Sequence, residues 1–123
     1  MYICNMKKIL ILLITISLIS SCSKSDSEPV LSSSNTITTS GLNFVPSTLN
    51  CIVGDTIFFE LGSSHNAIEV SEDSYNINSS SPLENGFQFD FGESSFFIAN
   101  EAKIHYYVCA PHLPQMKARI IVE

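Results

Sequence analysis

At 123 residues the chain has room for one small domain. Twelve acidic against six basic side chains give a formal net charge of −6 at pH 7. That balance argues against a nucleic acid as partner.

The chain opens on a segment that does not read as part of a fold. Lys7 and Lys8 precede ILILLITISLI, from Ile9 to Ile19, a run too short to span a bilayer but suited to the apolar stretch of a signal peptide. Met6 offers an alternative start of translation. The run ends in Ile19-Ser20-Ser21-Cys22, which resembles a bacterial lipobox, where small residues precede a Cys that is lipidated and becomes the mature N-terminus. The expectation is a lipoprotein signal peptide over 1–21 and a lipidated Cys22, exported and held to a membrane facing the periplasm or the cell surface, since two or more acyl chains give stable anchoring. An ordinary signal peptide followed by a chance Cys is the alternative.

Residues 22–35 are polar and Ser-rich without apolar periodicity, the composition of a flexible tether. The folded domain is expected over 36–123. It carries ten acids (Asp55, Glu60, Glu69, Glu72, Asp73, Glu84, Asp90, Glu93, Glu101 and Glu123) against Lys103, Lys117 and Arg119. A balance of minus seven favours a basic protein partner, or serves solubility alone.

Short runs rich in β-branched and aromatic residues follow one another: TITT, LNCIV, TIFFEL, AIEV, FQFDF, SSFFI, IHYYVC and ARIIV. Gly, Pro, Asn and Ser clusters divide them, and no segment shows a helical stripe. The prediction is an all-β sandwich of about seven to eight strands, or a small barrel, closing over Ile57, Phe59, Leu61, Tyr107 and Ile121 or their neighbours. SEDSYNINSSSPLENG, from Ser71 to Gly86, is too polar for a core strand and is expected to form a long surface connection.

With Cys4 removed and Cys22 acylated, Cys51 and Cys109 remain in a compartment that permits disulfides. A bridge between them is one reading. Against it, Cys51 shares a strand side with Leu49, so its thiol should point into the core. The stretch YYVCAPHLPQMKARI places a thiol, an imidazole and a thioether at Cys109, His112 and Met116, and their donor atoms can meet at one point. A core Cys, a hydrogen-bonded His and a gap-filling Met would be the plain interpretation of each alone; the joint arrangement points to a metal.

The ordered stretches SGLNFVPSTLNCIVGDTIFFEL, SSHNAIEV and IHYYVCAPHLPQMKARIIV resemble the cupredoxins, especially the plastocyanin and pseudoazurin group of blue copper proteins, with F-x-P, G-D-T, S-H-N, C-x-P-H and M-K in the same sequence. The resemblance covers nearly all of the domain and implies a Greek-key β-sandwich holding one type 1 copper ion. By position it implies His65, Cys109 and His112 as ligands with Met116 as the weak axial donor, a set suited to copper cycling between two oxidation states. It further implies that Asn66 ties the two ligand loops together, that Pro111 restricts the ligand turn, and that the electron leaves by the edge of His112 inside a collar formed by Leu42, Leu113 and Pro114. Ordinary turn packing is the other reading of those three.

Two departures stand out. Ser64 replaces the Pro that often precedes the first His, and three residues rather than plastocyanin's four separate His112 from Met116. Gln115 is therefore a rival axial donor. Counting back from the strand ARIIV favours Met116, because strand alternation fixes register more firmly than a turn of variable length. His105 lies on the strand side of Tyr107 and Cys109 and reads as a core imidazole with a hydrogen-bond partner. The function implied is a membrane-tethered electron carrier, not an enzyme, whose partners are redox proteins such as a basic c-type cytochrome or a membrane oxidoreductase. A copper storage or delivery lipoprotein is the alternative. A copper enzyme component fits less well, because catalytic copper needs further His ligands and the chain has three His.

Overall fold

A computed structural model of the protein describes residues 35–123; the signal-peptide and lipidation readings, and all of the tether but its last residue, lie outside the described residues. Nine strands form two sheets. The first sheet joins β1 (Thr36–Ser40), β2 (Asn43–Val45), β4 (Thr56–Glu60) and β7 (Ser94–Ile98) in the order β2-β1-β4-β7. The second joins β3 (Thr48–Cys51), β9 (Lys117–Val122), β8 (Ile104–Val108), β5 (Ala67–Val70) and β6 (Gln88–Phe89) in the order β3-β9-β8-β5-β6. The β1–β4 and β3–β9 pairs are parallel and the others antiparallel.

The sandwich predicted from the sequence is the fold observed, with one strand more than expected. The additional strand, β2, folds back on β1 through Gly41, whose φ of +57° is a conformation that a side chain would strain. A second difference lies in the polar middle, where Glu72–Asn76 forms a one-turn helix, α1. Ser71 caps it by accepting the Ser74 N–H at 3.1 Å, and Glu72 and Asp73 sit in its first turn, where acidic side chains favour the helix dipole. Its lack of any buried residue explains why no apolar stripe announced it.

The core lies between the sheets. Ile37, Phe44, Ile57 and Phe59 come from the first, and Leu49, Cys51, Tyr107, Ile120 and Val122 from the second, all buried. Phe59 is its centre, with the rings of Phe89 at 4.9 Å, Phe87 at 5.3 Å and Tyr107 at 5.5 Å. Ile57, Phe59, Leu61 and Tyr107 are buried as predicted. Ile121 is only partly so. Pairing of Tyr107 with Ala118 turns Ala118, Ile120 and Val122 inward, and period-two alternation then denies Ile121 the same face. Among the described residues no helix is long and apolar enough to cross a membrane.

Candidate metal centre

The two connections that carry the candidate ligands emerge at one end of the sandwich. β4 ends at Glu60 and leads through Gly62 to His65, just before β5; β8 ends at Val108 and leads through Cys109 and a 3₁₀ turn, Ala110–His112, to Met116 and β9. The first connection is pinned by Gly62, whose N–H donates to Thr39 Oγ1 at 2.9 Å while its carbonyl accepts the His65 N–H at 2.9 Å. A Cβ at Gly62 would lie 2.9 Å from Thr39 Oγ1 and 3.1 Å from the His65 ring, so the close approach requires glycine here. From the other side, Gly92 N–H donates to the His65 carbonyl at 3.2 Å.

The second connection closes on itself. Cys109 N–H donates to the Met116 carbonyl at 3.0 Å, and the N–H groups of His112, Gln115 and Met116 donate back within the loop at 3.2, 3.0 and 3.0 Å. Pro111 sits in the first positions of the 3₁₀ turn, where its fixed φ suits the turn and its missing N–H costs nothing. Asn66 bridges the two connections, its Oδ1 accepting the Ala110 N–H at 3.0 Å.

These supports bring three donor atoms together. His65 Nδ1 and His112 Nδ1 are 3.1 Å apart, and Cys109 Sγ lies 3.3 Å from His112 Nδ1 and 3.9 Å from His65 Nδ1. The centre of that triangle lies about 2 Å from each atom, the length of a bond from a late first-row metal ion to an imidazole nitrogen. Two imidazole nitrogens facing each other so closely cannot both carry protons, whereas a metal ion takes up both lone pairs. Among the described residues no other group of three or more His, Cys, Asp or Glu converges in this way. Cys109 and Met116 are fully buried and His65 nearly so, while His112 is partly exposed.

Electrostatics prepare the set for a metal. Burial, and then the neighbouring His112, lower the His65 pKa, which keeps its ring neutral and its lone pair free. Burial pushes the Cys109 thiol up, against the opposing pull of backbone N–H groups of Asn66 and His112; a metal cation supplies the charge that the thiolate needs. The chemistry of the set is that of copper: a thiolate, two imidazoles and a thioether.

Comparison with known proteins agrees. A family model described as copper binding proteins, plastocyanin/azurin family, matches residues 31–123. The chain belongs to this family. No curated protein sequence matches it. Among solved structures, a reduced amicyanin variant is 22% identical with a TM-score of 0.53, over 72% of this chain and 80% of that one. An oxidized amicyanin variant is 20% identical with a TM-score of 0.54, over 77% and 87%. A pseudoazurin from Sinorhizobium is 18% identical with a TM-score of 0.54, over 72% of each chain. These likenesses show the shared fold, and the family together with the donor set assigns the centre one copper ion.

Around the centre of this plastocyanin/azurin family member, the residues singled out in the sequence fall into place unequally. Asn66 and Pro111 occupy the supporting positions described above. Gln115, the rival donor, is exposed, whereas Met116 is buried on the inward parity shared by Ala118 and Ile120. Leu42, in the β1–β2 turn beyond Thr39, and Pro114 are exposed, and Leu113 is partly so, at the same end of the sandwich as His112. Phe91 was not foreseen. It is 52% exposed in the loop whose Gly92 holds the His65 carbonyl, and D-F-G-E following a strand was the sequence signal for that turn.

Cys51 and Cys109 are both free. Cys51 is a core thiol whose pKa is raised by burial and by Asp55. His105 stands apart from the centre, its Nδ1 2.6 Å from Glu69 Oε1, as a core imidazole with a partner should. Burial alone would raise the Glu69 carboxyl; hydrogen bonds from His105 and the Phe87 N–H, with Lys103 nearby, outweigh it and hold the carboxyl below its ordinary value.

Proposed function

We propose that the protein is a membrane-tethered blue copper electron carrier that passes single electrons between redox proteins and transforms no substrate. The observation that carries this reading is the convergence of Cys109 Sγ and the Nδ1 atoms of His65 and His112, with the buried Met116 closing the same loop. Bound copper supplies one-electron chemistry between Cu(I) and Cu(II).

His65, Cys109 and His112 would hold the ion through two imidazoles and a thiolate, and Met116 would add a weaker thioether donor. The ligand loops are fastened to each other through Asn66 and to the sheets at both ends, so the donors stay nearly fixed whichever oxidation state they hold. His112 is the ligand with an exposed face, and its ring edge is the exit for the electron, with Leu42, Leu113 and Pro114 forming the apolar rim against which a partner seats. Ten acids against three bases over 36–123 favour a basic partner, such as a basic c-type cytochrome or the basic face of a membrane oxidoreductase. A lipidated Cys22 would keep the domain on the membrane facing the periplasm or the cell surface.

Copper-loaded protein should show an intense visible thiolate-to-copper band and exchange electrons rapidly with a basic cytochrome in stopped-flow mixing. The rate should fall steeply with ionic strength. A weak band, or copper release without fast electron exchange, would replace this reading with storage or delivery. Cys22→Ala should move the protein from the membrane to the soluble fraction with its spectrum unchanged; retention on the membrane would exclude the lipid anchor.

A further inference from the structure

The outer face of the four-stranded sheet is unlike the rest of this acidic domain. Phe58 on β4 and Phe96 on β7 are cross-strand partners, with ring centroids 6.2 Å apart. Their relative exposures are 49% and 56%, and Ile98, on the same side of β7, is 47% exposed. Register places Thr36, Thr38, Thr56, Ser94 and Val45 on the same face, and Glu60 is the one charged side chain among the strand residues there. A shallow cavity of about 230 Å³ lies over the Phe58 and Phe96 pair, with Thr36 at its margin. Exposed apolar clusters of this kind mark contact surfaces.

The path of the chain says what the surface meets. The Asn35 carbonyl accepts the Phe58 N–H at 2.7 Å, and Thr36 pairs with Phe58, so the polypeptide enters the domain in this sheet, at the Thr36 end of β1. Twelve residues lie between Cys22 and Asn35. On the tether reading, a Ser-rich linker of that length would span about 20 Å, so a lipid at Cys22 would hold the outer face of this sheet nearer the bilayer than that of the other sheet. We propose that the Phe58, Phe96 and Ile98 face rests on a zwitterionic lipid surface; this rests on the tether reading given above. Phe and Ile side chains on a face with a single charge enter the headgroup boundary, as apolar side chains do in interfacial proteins. A domain with ten acids against three bases is repelled by anionic lipid, but this face brings only Glu60 toward the surface. A second copy is a poorer occupant, because it would bring two strongly acidic domains together.

The test uses the lipidated, copper-loaded full chain, held reduced in phosphatidylcholine vesicles whose acyl chains are brominated near the headgroups. The sequence contains no Trp, so Phe96→Trp supplies a single reporter, and Arg119→Trp, at an exposed position of the other sheet, is the control. Fluorescence of the Phe96→Trp variant should be quenched several-fold more than that of the control. Equal, weak quenching while both variants remain vesicle-bound overturns the lipid contact and leaves the tether standing. An unmodified Cys22 by mass spectrometry overturns both. Doubling of the sedimenting mass, abolished by Phe58→Ser with Phe96→Ser, would assign the face to a second copy and overturn the lipid contact. The double variant should still sediment with vesicles through its lipid but protect its tether from protease less well.

Discussion

Cys109 and Met116 are bound to each other through the backbone, the Cys109 N–H donating to the Met116 carbonyl at 3.0 Å. The bond closes the loop that carries three of the four candidate donors, and it fixes which of two adjacent residues turns inward. Met116 is buried and Gln115 is exposed. A thioether favours Cu(I), and a harder oxygen donor favours Cu(II). Met116→Gln should therefore lower the reduction potential measured by voltammetry and shift the visible spectrum. Gln115→Ala should leave both nearly unchanged and alter stability by about 0.5 kcal/mol or less, as surface substitutions do. The reverse pattern would give the axial role to Gln115.

Cys109→Ser should abolish the visible band while circular dichroism still reports a folded sandwich, because the substitution exchanges one sulfur for an oxygen and leaves the packed core around Phe59 in place. Cys51→Ala should keep the band and cost about 1 kcal/mol in urea unfolding for the small cavity it leaves. Loss of copper from the Cys51 variant would mean that the two thiols are not independent.

Apart from the candidate ligands, Asn66 ties the two ligand connections together through its side chain. Asn66→Ala leaves the part-buried Ala110 N–H without its acceptor, which should cost about 1 kcal/mol. The loss should appear in the copper-free protein as well as the loaded one, and copper should dissociate faster as the loops separate. An unchanged urea midpoint would show that water takes over the hydrogen bond.

Glu69 makes the stability pH-dependent. Its carboxyl pKa is lower in the folded chain than the ordinary 4.5, so the unfolded chain takes up this proton first as pH falls. The stabilisation is complete above about pH 4.5 and is lost progressively as the pH drops through the folded-state value. Glu69→Gln should cost about 1–3 kcal/mol at neutral pH and should flatten the acid limb of a plot of urea midpoint against pH. An acid limb identical to that of the unaltered protein would place its origin in other carboxyl groups.

What was legible in the sequence was what lies close together along it. Cys109, His112 and Met116 fall within one turn, and apolar runs broken by turn residues announced the strands. Parity was readable for Met116, yet Ile121 was misplaced, because choosing between two adjacent isoleucines requires knowing that Tyr107 faces Ala118 across β8 and β9. The contact of Glu69 with His105 spans 36 residues, and neither residue's own neighbourhood hints at the other. A three-residue strand such as β2 and a one-turn helix with no buried side chain leave too short a pattern to register.

The last strand sits between β3 and β8, and Glu123, just after it, is stitched to the early turn after β3: its N–H donates to the Cys51 carbonyl at 3.0 Å and its carbonyl accepts the Val53 N–H at 3.1 Å. His65 meets Cys109 across 44 residues. A chain that emerges N-terminus first, whether from a ribosome or through a membrane pore, cannot join β3 to β8 until β9 has followed. The order of synthesis thus becomes an order of metallation. His65 is released early and without its partners, and the three donors meet only once Cys109, His112 and β9 have followed it.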